Sequence, residues 1–341
     1  AEPSSLVLAF GGDVIAHEAV RDAGARVGYD ALLGAARVAL GDADLAFVNL
    51  ESPVTPRWVR RGQKIFRADE QMLAALAGAG VRVVSLANNH AFDQGPEGLA
   101  DSMAAVERHG LVGIGAGRTL ADACAPVFLE QKGIRVALLA RTLVMNFHDG
   151  GARGKPDVCM LAEGPLKRAA RAARASGADL VVASLHWGNE YERAPRREQI
   201  DAARRVVEAG VDLLIGHHPH VLQPVVRMKT SRGTEAVVAY SLGNLLSNQG
   251  YAYRPGVRPE REGDTRDAAV LRIEVSKGAD GAVRVEAVRA VPLWTEHRPD
   301  GAIVLVPATT RRARIARALQ LPLEEPAPDC EREPCVEIAG R

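Results

Sequence analysis

Three of the nine histidines of this 341-residue chain fall within four positions, in "GHHPH" (216–220), directly behind the apolar run "DLLI". If the segment stays extended, His218 and His220 point the same way, since alternate side chains of a strand share a face. Pro219 biases His218 towards that conformation. Two such imidazoles suit zinc or a transition metal. His217 points oppositely and reads as a supporting or core residue. Comparable groups stand at the ends of other apolar runs. Asp13 follows "LVLAFGG", and Asn49 and Glu51 close "DLAFVNLE", where alternation lets both face one side. Asn88, Asn89 and His90 follow "VVSLA", with Asp93 close behind. His186 ends "DLVVASLH", Glu190 comes four positions later, and Asn244 ends "YSLGN". These oxygens and imidazoles would hold one or two divalent ions of the manganese, iron or zinc type. No cysteine is among them, so a soft-metal site is not expected. Without a metal, the same carboxylates and imidazoles would form acid–base pairs. His297, in "LWTEHRP", is a further candidate from the C-terminal part of the chain.

Residues so far apart in sequence act together only if the fold gathers them. Strand-like runs alternate with helix-like ones up to about residue 222: "LVLAFGGD", "YDALLGAARVALG", "DLAFVNLE", "DEQMLAALAGAG", "VRVVSLANNH" and "GPEGLADSMAAVERHG" come first. "APVFLEQKGIRVALLA", which reads as a hairpin with glycine in its turn, precedes "GPLKRAARAARASG", "DLVVASLHWG", "PRREQIDAARRVVEAG" and "VDLLIGHHPH". Helices that end in glycine and pass directly to an apolar strand announce βαβ units. In an open, mostly parallel sheet the C-terminal strand ends share one edge, and ligands bind there. After residue 222 the texture is mainly strand, with one more helix in "TRRARIARALQL". The expected fold is therefore an α/β protein of four layers, an α/β/β/α sandwich. Residues 1–321 read as one α/β domain, with an α/β-rich front (1–222) and a β-rich back (223–321), followed by a C-terminal tail (322–341). The segment from Asn248 to Asp267, rich in arginine, glycine and proline, reads as an exposed loop near a site.

A net charge of +1 gives no global field for nucleic acid or an anionic membrane, and 4% aromatics argue against a base-stacking platform. No nucleic-acid partner is expected. The apolar runs are strand-length, well short of the roughly 20 residues of a membrane span. The first residues, Ala-Glu-Pro-Ser-Ser, read as the mature end of an exported protein or as a trimmed chain. Cys330 and Cys335 would close a small disulfide loop in an oxidising compartment, whereas Cys124 and Cys159 read as ordinary small apolar residues.

The motifs "GGDVIAH", "VNLESPVT", "SLANNHAFDQGPEGLADS", "LHWGNEY", "GHHPHVLQPV" and "YSLGNLLSNQ" resemble, in order, the blocks of the poly-gamma-glutamate capsule biosynthesis proteins of the CapA type. The resemblance runs from Leu6 to Gln249, with weaker echoes to Pro299. It implies kinship with the calcineurin-like metallophosphatases, whose two mixed sheets are flanked by helices and carry a two-metal site. By that resemblance Asp13, Glu51, Asn89, His186, His218 and His220 are metal ligands, and His90, oriented by Asp93, is the proton donor. Asn49, Asn88, Glu190, Asn244, Arg67 and His297 are candidate substrate contacts. Arg57, Arg60, Arg61 and Arg67 would hold carboxylates or phosphates. The chain departs from the metallophosphatase pattern at Ile15, where that family has histidine, and at Glu51, where it has a bridging aspartate. The function implied is a metal-dependent hydrolase outside the cytoplasm, acting on a polyanionic or peptide-like substrate beside membrane-bound capsule machinery. The alternatives are a metal-independent peptide epimerase using Asp13 and His297, and a non-catalytic polymer assembly or export factor.

Overall fold

The structure is a computed structural model and describes residues 4–147 and 154–323. In chain order its strands are β1 (Ser4–Val14), β2 (Leu45–Leu50), β3 (Val81–Ser85), β4 (Val112–Ile114), β5 (Ala116–Gly117), β6 (Val127–Gln131), β7 (Ile134–Thr142), β8 (Asp157–Val158), β9 (Leu180–His186), β10 (Leu213–His217), β11 (Val225–Lys229), β12 (Glu235–Ala239), β13 (Asn244–Leu246), β14 (Asp267–Lys277), β15 (Val283–His297) and β16 (Ile303–Pro307). One sheet runs β16-β15-β14-β1-β2-β3-β4, with β13 paired to the end of β1. The other runs β11-β12-β10-β9-β7-β6. Both are mixed. β1 to β4 are parallel while β14 to β16 are antiparallel, and β12, β10, β9 and β7 are parallel between antiparallel edges.

The period of two along each strand sorts its side chains between two apolar layers. Leu6, Leu8 and Phe10 of β1 meet Leu138 of β7, Val182 of β9 and Ile215 of β10 between the sheets. On the outer face of the first sheet, Ala46 and Val48 pack on Leu32, Leu40, Leu73 and Leu76 of helices. On the outer face of the second, Val181, Ala183 and Leu214 pack on Leu166, Ala170, Ala203 and Val207. Strands buried on both faces read as unbroken apolar runs, which is why they were visible in the sequence. The result is the expected four-layer α/β/β/α sandwich with two mixed sheets.

The single helix expected over 29–41 is divided into Tyr29–Leu33 and Ala36–Gly41. The break is Gly34, at φ +43°, where the chain comes so close to β16 that a Cβ would lie 2.1 Å from the Leu305 carbonyl. Ala35 N–H donates to that same carbonyl at 2.9 Å. The contact is made with a strand nearly 270 residues away, so helical periodicity could not show it. The sequence reading also passed over β16 itself and the helix Glu18–Val27.

The cysteine reading is corrected. Cys124 and Cys159 form a disulfide across 35 residues, with Cα atoms 5.0 Å apart. The short β5–β8 ladder, extended by Cys159 N–H donating to Gly115 O at 2.9 Å, carries Cys159 to the end of the helix Leu120–Cys124. Cys330 and Cys335 lie outside the described residues.

Two glycines set the approach of the site-bearing strands. A Cβ on Gly12 would lie 2.1 Å from the Gly243 carbonyl, and one on Gly216 would lie 1.9 Å from that of Tyr240. Gly216→Ala should therefore lower stability by about 1–3 kcal/mol, the usual cost of overpacking, seen as a lower urea midpoint; an unchanged midpoint would refute this close approach. Replacing Cys124 and Cys159 together by serine should cost about 2–4 kcal/mol. Intact mass before and after reduction checks that the bond is present.

Candidate metal centre

β1, β2, β3, β9 and β10 present their C-terminal ends at one edge of the sandwich, where a cluster of buried polar residues collects. Asp13 and Glu51 are fully buried, and His186, His217, His218 and His220 are nearly so. Asn49 ties the carboxylates together: its Nδ2 lies 2.8 Å from Asp13 Oδ1, 3.3 Å from Glu51 Oε2 and 3.3 Å from His186 Nδ1. Asp13 Oδ2 is 3.0 Å from His220 Nδ1, and Asp13 Oδ1 is 3.2 Å from His217 Nδ1. Residues 13, 186, 218 and 220 thus meet in one cluster, as the sequence reading required.

The backbone at "GHHPH" is not extended as expected. β10 stops at His217, and His218 and His220 adopt φ of +97° and +59°. Non-glycine residues rarely enter this region, and when they do the surrounding contacts must hold them there. One such contact is visible: the turn aims His218 N–H at Asp13 Oδ2, 3.3 Å away. The rings of His218 and His220 still converge, with centroids 5.9 Å apart, and His186 stands 4.7 Å from His218.

Burial sets the charge of these groups. It holds the His186 imidazole well below its ordinary pKa, reinforced by His218, and takes His218 down to about 4, reinforced by His220. Both rings are therefore neutral at pH 7, with lone pairs available to a cation. Burial pushes the Asp13 carboxyl up, but its contacts with His217 and His220 outweigh this and hold it well below the usual range. Burial, and then the charge on Asp13, pushes the Glu51 carboxyl well above it.

The donor set fits a divalent cation. Glu51 Oε1 is buried without a hydrogen-bond partner and lies 3.7 Å from both His186 Nε2 and His220 Nε2. His218 Nδ1 is also buried without a partner. Ligand atoms of Glu51, His186 and His218 lie within 4.8 Å of one another, as do those of Asp13, Glu51 and His220, and those of Glu190, His218 and His220. Glu51 belongs to two of these groups, so it is placed to be shared if two ions bind. Asn89 Oδ1 adds an oxygen 2.8 Å from His186 Nε2.

Beside this set stands His90. Its Nδ1 is 2.8 Å from Asp93 Oδ2, and the Phe66 backbone N–H holds that same oxygen at 2.6 Å. The Phe66 ring packs on His90, with centroids 4.4 Å apart. Asn146, which the sequence reading missed, touches both Asn89 Nδ2 (3.2 Å) and His90 Nδ1 (3.3 Å). It sits in "VMNF", where nothing in the local pattern marks it. His17, left without a role, packs on Phe66, and burial and then His220 bring it down to about 4.

Other candidates are placed differently. Asn88 binds the Leu50 carbonyl (2.9 Å) and the His90 N–H (3.2 Å), so its amide braces the loop. Asn244 pairs with Asp13 across β1 and β13, but its Nδ2 donates to Gln249 and to the Thr265 carbonyl, both at 3.0 Å. Arg67 binds Asp69 (2.5 Å) and the Thr55 carbonyl (3.0 Å), and Arg57 binds Asp101 (2.7 Å). His297, at the end of β15, is brought to about 4 by burial and by Arg266 and Arg254, and no hydrogen bond, ion pair or ring contact joins it to Asp13. A cleft of about 1220 Å³ opens beside the cluster, lined by His17, Tyr191, Asn248, Gln249, Tyr253 and Thr265 among others. The segment after Asn248 does border a site, as expected.

Comparison with known proteins agrees with this picture. Residues 7–249 match the family described as "Bacterial capsule synthesis protein PGA_cap". The capsule biosynthesis protein CapA of Bacillus anthracis is 33% identical over 264 residues, 73% of this chain and 62% of that protein. The PGA biosynthesis protein CapA of Bacillus subtilis is 28% identical over 287 residues, 83% of this chain and 71% of that protein. Among solved structures, Haemophilus influenzae NAD nucleotidase (NadN) superposes with a TM-score of 0.51 at 10% identity, covering 97% of this chain and 59% of that one. That likeness speaks to the fold alone. The motifs at the strand ends, the match over most of the chain and the 33% identity lead to one statement: this chain belongs to the bacterial capsule synthesis (PGA_cap) family.

Proposed function

We propose that this protein is a metal-dependent hydrolase of capsule polymer formation, acting outside the cytoplasm on a polyanionic or peptide-like substrate. The observation that carries the reading is Glu51 Oε1, buried without a partner and facing His186 and His220 at 3.7 Å. Asp13, Glu51, Asn89, His186, His218 and His220 would hold manganese, iron or zinc, which suit mixed oxygen and imidazole donors. A divalent ion there supplies Lewis acidity, activating water and offsetting charge that develops on a scissile phosphoryl or carbonyl group.

The chain's own residues do the rest. Asp93 accepts from His90 Nδ1, which fixes the ring and leaves Nε2 to hand a proton to the leaving group. Phe66 holds both members of that pair, through its N–H and its ring. The cleft beside His17 and Tyr191 gives an extended substrate room to lie. Capsule machinery as a partner is supported by the names of the relatives, which include a probable polyglutamine synthesis accessory protein of Mycobacterium tuberculosis. A position outside the cytoplasm is supported by the Cys124–Cys159 disulfide, a bond that persists in oxidising compartments. Among the described residues no helix is long and apolar enough to cross a membrane.

The purified chain should contain stoichiometric manganese, iron or zinc by elemental analysis. It should cleave a phosphodiester such as bis(p-nitrophenyl) phosphate, or a γ-glutamyl peptide, and lose that activity on chelation. Activity that survives complete chelation would contradict the metal reading. His90→Asn should lower kcat by about 10²–10⁴-fold while metal content stays unchanged, the usual contribution of a positioned proton donor. Full activity in that variant would remove His90 from the mechanism.

A further inference from the structure

Trp58 lies in the loop between β2 and the helix Glu70–Gly78, and three guanidinium groups crowd its indole. The Cζ atoms of Arg21, Arg61 and Arg67 lie 5.0, 4.5 and 5.0 Å from the ring centroid. One of the three has a carboxylate partner: Arg67 pairs with Asp69. Arg21 donates through Nη1 to the carbonyls of Ala16 (3.1 Å) and Arg67 (3.4 Å). Among the described residues no carboxylate pairs with Arg21 or Arg61, and Arg67 Nε is buried without an acceptor. Three like charges with one counter-charge repel one another. The indole face offsets part of this, and an anion from outside would offset the rest.

The position of the patch gives it a use. Phe66, next in the chain to Arg67, packs on His17 and His90 with centroids 4.8 and 4.4 Å away. Lys64 Nζ lies 3.9 Å from Glu190, a member of the donor cluster. The loop therefore touches the donor cluster at His90 and Glu190, and Arg21 from the helix Glu18–Val27 joins its cations. The arginines expected to grip an anion are only partly the right ones. Arg57 is engaged with Asp101, whereas Arg21, on a helix absent from the sequence reading, joins the cluster.

We propose that Arg21, Arg61 and Trp58 form an anion-binding subsite that holds a carboxylate or phosphate of a polyanionic chain while a neighbouring bond lies at the metal centre. Guanidinium groups bind such oxygens in bidentate fashion, and the indole gives the chain an apolar platform. Only the use of the subsite rests on the hydrolase reading; binding by itself needs no metal.

The test is the affinity of the full chain for poly-L-glutamate, for polyphosphate and for neutral dextran, measured by titration at two salt concentrations. It is run on the wild type, on Arg61→Glu, on Arg61→Lys and on His218→Ala. The expected result is binding of one or both polyanions but not dextran, weakened about tenfold or more by Arg61→Glu, largely retained by Arg61→Lys, and with a shallower salt dependence in the glutamate variant. Tighter binding of poly-L-glutamate than of polyphosphate identifies carboxylate as the ligand, and the reverse identifies phosphate. Equal affinity of wild type and Arg61→Glu for both polyanions would overturn the proposal. Binding should persist in His218→Ala, since the subsite needs no metal; binding lost in that variant but kept in Arg61→Glu would overturn the proposal, whereas binding by a wild type that proves to have no hydrolytic activity leaves the subsite standing while the hydrolase reading falls.

Discussion

Two carboxylates, Asp13 and Glu51, are fully buried side by side, and the rest of the molecule is arranged around them. Ionised carboxylates leave water at high cost unless a positive charge or several hydrogen bonds replace it. Here the touching groups are the Asn49 amide, the His218 N–H and the imidazoles of His186, His217 and His220. Among the described residues no lysine or arginine pairs with either carboxylate. The Asn49 amide, the His218 N–H and the neutral His186 ring satisfy some oxygen lone pairs but supply no net charge. A site built in this way lets both acids stay ionised when a divalent cation sits among them.

The fold meets this requirement by convergence. Five strands from two sheets end at one edge, and each brings one or two donors. Close backbone contacts, Gly12 on Gly243 and Gly216 on Tyr240, bring the strand ends nearer than side chains would allow. His218 and His220 then leave the strand in a backbone conformation that costs free energy for any residue but glycine. The His218 N–H bond to Asp13 Oδ2 is one contact that holds this turn. Burial also keeps water from competing for the donors, so stability and chemistry draw on the same packing.

Much of this was legible in the sequence. Strands buried on both faces wrote themselves as apolar runs, and their C-terminal ends were marked by polar residues with no other reason to follow such runs. Asp13, Glu51, Asn89, His90, His186, His218 and His220 could be named on that basis, helped by the ordered family motifs. What stayed hidden depended on contacts between distant segments. The turn at His218 and His220 is set by Asp13, some 200 residues earlier, where local sequence argued for extension. Cys124 finds Cys159 through a two-strand ladder that no cysteine spacing encodes. Asn146 reaches His90 only because its own backbone N–H is held by the Asn89 carbonyl. Asn88, Asn244 and Arg67 have the right chemistry for binding, but the Asn88 amide, the Asn244 Nδ2 and the Arg67 Nη atoms are engaged by the protein itself.

Anomalous scattering from a crystal of the protein purified without chelator tests the central claim most directly. The account places a peak of a transition metal or zinc among Glu51, His186, His218 and His220, within coordination distance of Glu51 Oε1. Should diffraction from crystals grown with excess manganese or zinc show no peak there, and Glu51 instead protonated and hydrogen-bonded to a histidine, the carboxylate pair would be explained without a cation and the account would be wrong.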